Sequence, residues 1–64
     1  MEAEQRAPGE LLAEAAKARH EARRFRNAAL LMNDRLVEDA LIARAVELEN
    51  LAGMLEAQAA KLSS

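Results

Sequence analysis

Two tracts of small apolar residues, each repeating every seven positions and each out of step with the other, constrain this chain more than anything else in it. In the first, Leu11, Ala15, Ala18, Ala22, Phe25, Ala29 and Met32 follow one another at alternating spacings of four and three. The second runs Leu41, Ala45, Leu48, Ala52, Leu55, Ala59 and Leu62 at the same spacings. This pattern puts all members of a tract on one narrow stripe of an α-helix, the stripe through which coiled-coil helices pack. Continued past Met32, the first tract would need apolar residues where Asp39, Asn50 and Gly53 stand. The phase therefore breaks between the two tracts, and Asn33-Asp34 is the turn-like dipeptide in the gap, with Asp34 suited to cap a helix starting at Arg35.

A short connection between two helices makes them antiparallel neighbours. The sequence accordingly predicts an all-α fold: an antiparallel two-helix hairpin, an alanine-rich coiled coil, with a flexible tail over 1–7, a helix over 8–32, a turn at 33–34 and a helix over 35–62. Pro8 fits a first helical position, where its missing N–H has no intrahelical partner to lose. A single bent helix with a rotating seam is the competing arrangement. Mirrored about the turn at 33–34, Ala22 falls opposite Ala45 and Ala15 opposite Ala52, with larger residues between these layers. Because both tracts repeat every seven residues, a register displaced by one heptad also fits, with the turn moved to 35–38.

Composition agrees with helix and thins the core. Of 64 residues, 16 are Ala and 10 are Leu, Phe25 is the only aromatic, and Val37, Ile42 and Val46 are the only β-branched residues. Ala, Leu, Glu, Arg and Lys are the strongest helix formers, and strands draw on the types that are nearly missing. A single core of this size supplies about 3–5 kcal/mol at most, and there is no Cys to provide a disulfide. Oligomerisation or docking is the remaining source of support, so the hairpin is expected to dimerise into a four-helix bundle or to dock on a protein partner. Leu36, Val37, Ile42, Val46, Leu51 and Met54 fall off the second seam and form the candidate partner or dimer surface.

Charge is divided between the helices. From Pro8 to Met32, five basic residues face three acidic ones; from Asn33 to Ser64, six acidic residues face three basic ones. Opposite signs on neighbouring helices favour ion pairs across the hairpin flanks. The same residues allow a second use: Arg19, Arg23 and Arg26, at i, i+4 and i+7, could form an anion-binding stripe on the first helix, with RNA as one possible ligand. A net charge of −2 gives no general support for binding nucleic acid or a membrane surface.

No catalytic, metal or cofactor site is expected. His20-Glu21 opens like the zinc pattern H-E-x-x-H, but Arg24 stands where the second ligand belongs, and Lys17 replaces the glutamate that an E-x-x-H di-iron motif requires. Ser63 and Ser64 are terminal, and no glycine-rich loop is present. The acidic opening, Met1-Glu-Ala-Glu, does not read as a signal peptide, and no run approaches the roughly 18 apolar residues of a membrane span. A cytoplasmic location, no small-molecule substrate and no cofactor are the expectations.

In length and in the alanine layering of its hairpin, the chain resembles the plasmid-encoded Rop-type RNA-binding bundles. That resemblance, one of architecture, implies an RNA-binding regulator that uses the basic stripe of helix one. Small co-chaperone hairpins of type III secretion are similar in the same general way. The residues themselves favour a non-enzymatic protein–protein interaction module, an adaptor, co-chaperone or assembly subunit that acts through self-association and a helix face.

Overall fold

The computed structural model describes residues 7–63. Two helices, α1 (Pro8–Leu30) and α2 (Arg35–Ser63), pack against each other along their length, and no strand occurs among the described residues. The expected tail over 1–7 falls, apart from Ala7, outside the described residues. Ala7 is extended, and its carbonyl accepts from the amides of Glu10 and Leu11 at 3.0 and 3.2 Å. With no side-chain cap at this end, Pro8 and the acidic Glu10 near the positive end of the helix dipole start α1.

The first helix closes at Leu30, two residues before the end that the seam suggests. The Leu31 and Met32 amides donate to the carbonyls of Ala28 and Ala29, each three residues back, at 3.0 and 3.1 Å. This tightened last turn satisfies carbonyls that an α-helical continuation would otherwise take. On the other side of the connection a side chain fixes where α2 begins. Asp34 Oδ1 accepts from the amides of Leu36 at 2.8 Å and Val37 at 3.4 Å, the N-cap geometry expected for Asp. A capping residue cannot itself be helical, so residues 31–34 are left to reverse the chain. Replacing Asp34 with Ala should lower the thermal midpoint, at a cost of about 1 kcal/mol, as read by circular dichroism.

The two tracts meet as the seam. All ten residues that are buried among the described ones belong to it: Leu11, Ala15, Ala18, Ala22 and Ala29 from α1, with Ala45, Leu48, Ala52, Leu55 and Ala59 from α2. Phe25 and Leu41 are half-buried, and Phe25 packs against the core. Two seam positions lie exposed, Met32 and Leu62. Met32 sits in the connection rather than on α1. Leu62 stands in the last turn of the longer α2, which has 29 residues against 23 in α1.

Five heptad-spaced alanines are, with Leu11, the most deeply enclosed of the described residues. Ala45 and Ala52 are 0% exposed and Ala15, Ala22 and Ala59 are 1% exposed, whereas Leu48 and Leu55 between them reach 6% and 9%. A methyl group has no length with which to reach cover, so it is hidden only where the opposite backbone comes close. The alanine rows thus mark the line along which the two helices approach most closely. Because α2 is already helical over 35–38, the register that would have put the turn there is not adopted.

The hairpin measures 47 × 20 × 13 Å. Its least dimension is about one helix diameter. Both broad faces of the helix pair consequently lie open.

Candidate functional site

One broad face is crossed by two Arg–Glu bridges. Arg19 donates from Nε and Nη2 to Glu56 Oε2 and Oε1 at 2.8 and 2.7 Å, and Arg26 makes the same pair of bonds to Glu49, both at 2.7 Å. From one bridge to the next the chain advances seven residues on α1 and retreats seven on α2, as two antiparallel helices in constant register require. The fork of a guanidinium matches the two oxygens of a carboxylate, which gives these bridges a fixed geometry beyond simple attraction.

The bridges set the titration of this face. Glu49 and Glu56 are held below the ordinary carboxylate range, first by the guanidinium hydrogen bonds of Arg26 and Arg19; desolvation opposes this in both, and the positive charge of the arginines adds a smaller lowering. Arg19 and Arg26 are pushed up by the same bonds. A carboxylate whose value falls on folding stabilises the fold above the unfolded value, about 4.3 for Glu, and that contribution is lost as pH falls through the folded value. The hairpin should therefore lose thermal stability progressively on acidification below about pH 4. Because both bridges are half-exposed, added salt at neutral pH should weaken them as well. Arg19→Gln combined with Arg26→Gln should flatten both dependences in melting curves.

These contacts change the reading of the basic stripe. Arg19 and Arg26 are committed to carboxylates of α2, and Arg23, exposed between them, forms no ion pair with the described residues. An incoming phosphate would find only the remaining Nη donors of Arg19 and Arg26, each beside a carboxylate that repels it. The flank charges act first in holding the hairpin together, as their opposite signs suggested.

The other broad face carries a cleft of about 420 Å³ lined by Glu21, Arg24, Phe25 and Ala28 of α1 and Leu41 and Arg44 of α2. Residues seven apart share a row on a helix surface. Val37 and Leu51 flank Arg44 in its row, and both remain partly exposed, at 42% and 44%. Met54, seven residues beyond Glu47, follows the same side, and Glu47 accepts a hydrogen bond from Arg44 at 3.0 Å. The remaining ion pair, Arg35 with Asp39 at 3.7 Å, lies within the first turns of α2.

The six candidate surface residues of α2 are thereby distributed around the helix. Val37, Leu51 and Met54 accompany the cleft. Ile42, in the row of Glu49 and Glu56, and Val46, three residues before Glu49, belong to the bridged face. Leu36, 80% exposed, shares its row with Ala43 and Asn50 on the side away from the seam. Sequence spacing placed Val37 and Leu51 beside Arg44 and paired Ile42 with Val46, but the cleft itself, and the presence of Phe25, Glu21 and Arg24 in it, needed both helices in place.

Among the described residues, no group of three or more His, Cys, Asp or Glu is arranged to hold a metal ion, and no helix is long and apolar enough to cross a membrane. Fold and surfaces together define an all-α helical hairpin with one bridged face and one clefted face. Comparisons with protein-family models, with curated proteins and with solved structures find no match to the chain.

Proposed function

We propose that the protein is a non-enzymatic protein–protein interaction module, an adaptor, co-chaperone or assembly subunit, which self-associates into a four-helix bundle and presents a helix face to a partner. The supporting observation is an imbalance of apolar side chains. Seven of the ten buried residues are alanines, whereas ten larger apolar residues, among them Leu12, Leu30, Leu51 and Met54, are exposed. Single exposed leucines are ordinary. Here the larger apolar side chains lie mostly outside the core, and a core of alanines buries little area at roughly 25 cal/mol per Å². A second protein surface is the simplest cover for them.

The alternative is a Rop-like RNA-binding regulator that uses the basic stripe of α1. Its stripe is Arg19, Arg23 and Arg26, two of which already hold carboxylates, with Lys17 and Arg24 on the opposite flank of the seam. Purification of the tagged protein from its native cell separates the readings. A protein partner at a fixed molar ratio, retained through a salt wash, is the expected result. Ribonuclease-sensitive absorbance near about 260 nm, together with retention of mixed RNA on filters that falls steeply with salt, would replace it with the alternative.

A further inference from the structure

We infer that the clefted face, the side of Phe25, Arg44 and Leu51, is where a second copy of this chain docks, and that the bridged face stays in water. The inference rests on the self-association proposed above and names the surface that performs it.

Both faces carry four charged groups, Glu21, Arg24, Arg44 and Glu47 on the clefted one and two Arg–Glu pairs on the bridged one. What separates them is whether those charges are already paired within the hairpin and what apolar surface lies between them. On the bridged face, four charged groups in two Arg–Glu pairs are half-exposed, and burying them would strip water from ions whose mutual attraction seldom recovers the loss. The clefted face offers the only aromatic side chain, half-buried Phe25, in a hollow of about 420 Å³. Leu41 is half-buried beside it, and Val37 and Leu51, in the row of Arg44, stand 42% and 44% exposed. Aromatic residues with aliphatic neighbours are what the centre of an interface is commonly made of.

Charge selects the occupant. The cleft is bounded by the acid of Glu21 and the bases of Arg24 and Arg44, and Glu47 lies against Arg44. A partner of one sign would be repelled by part of this rim. A two-fold copy places the same surface against itself, so that an acid on one chain can meet a base on the other and the reciprocal pair forms at once. Area agrees: a face of 47 × 20 Å has a footprint on the order of 900 Å², close to the ~800 Å² per partner of a stable interface. Two such layers, each one helix thick, make a four-helix bundle.

Sedimentation equilibrium at tens to hundreds of micromolar tests this, with far-ultraviolet circular dichroism as a check on folding. The wild-type chain is expected at twice its 7.0 kDa mass. Leu51→Glu, alone or with Val37→Glu, should weaken the dimer at least tenfold. Val46→Glu and Leu12→Glu, the latter in the row of Arg19 and Arg26 on the bridged face, should leave it intact. Gly53→Ala should also leave the mass unchanged and raise the melting temperature, because Gly53 lies between Glu49 and Glu56 on the bridged side with nothing within 4 Å of an added methyl.

Should the glutamate variants unfold, thiol labelling supplies the answer, since the chain has no native cysteine. The labelling rate of Leu51→Cys is expected to fall at least tenfold on concentration, while that of Val46→Cys stays constant. A dimer broken or protected at Val46 instead of Leu51 would overturn the choice of face and leave self-association standing. A folded wild-type monomer at the highest concentration would overturn both.

Discussion

Ala52→Leu is expected to destabilise the hairpin by about 2–3 kcal/mol, at the upper end of what overpacking of a close-packed core costs. A core of this size supplies about 3–5 kcal/mol, so urea denaturation should show the folded baseline shortened or absent. Ala52 is 0% exposed and stands on the line where the backbones come closest. Three added carbons have no free volume there, and the helices can admit them only by moving apart. That separation would also uncover Ala45 and Ala59, each one heptad away in the same row. Ala57→Leu supplies the control, because Ala57 is exposed and the change should stay within about 0.5 kcal/mol. Equal denaturation midpoints for Ala52→Leu and wild type would show that the helices are not packed through their alanines.

The second large effect is expected at the opposite end of the size scale. Leu11 is the largest wholly enclosed side chain, 1% exposed, while Leu12 beside it is 50% exposed. Leu11→Ala removes buried carbons and leaves a partly unfilled space, a combination that costs about 2–5 kcal/mol for leucine. The lower part of that range applies, because Leu11 lies only three residues into α1 and the first turns can relax by fraying. The same change at Leu12 should cost well under about 1 kcal/mol. Hydrogen exchange should locate the damage, with faster exchange in the amides around Ala15 and Ala18 for the first variant alone. Comparable losses from the two neighbours would mean that the seam is out of phase by one residue.

Helix identity and phase were legible in the sequence for particular reasons. The alternation of four and three picks out one stripe of a helix, and the alanines at positions 15, 22 and 29 and at 45, 52 and 59 continue it without interruption. Each of the ten buried residues stands in one of those tracts. Asp34 gave the start of α2, because an aspartate before a helical run satisfies orphan amides. The end of α1 was harder to read. No glycine marks it, and the chain closes the helix with three-residue-back hydrogen bonds from Leu31 and Met32, which leave no residue signature.

The charge pattern was readable in sign but not in partner. Opposite charges on the two helices suggested attraction across the flank, yet Arg19, Arg23 and Arg26 have the same spacing whether they meet carboxylates or an external anion. The choice depends on the axial offset between helices, which brings Glu56 and Glu49 within bonding distance of Arg19 and Arg26 and leaves Arg23 between them. Titration follows from that choice as well. The depressed range of the two glutamates comes from the guanidinium contacts, and no property of the isolated residues contains it.

The amino-acid order by itself determined helical structure and the stripe each tract would bury, because both depend on interactions within a few residues or on the strict period of a single helix; it favoured a reversal near Asn33-Asp34 without excluding one a heptad later. Only the tertiary structure decided how far each helix slides along the other, which arginines find glutamates, and that Glu21, Arg24, Phe25, Leu41 and Arg44 enclose a common hollow. Those outcomes depend on the distance and offset between two separate cylinders, and a heptad repeat that fits at more than one offset cannot encode them locally.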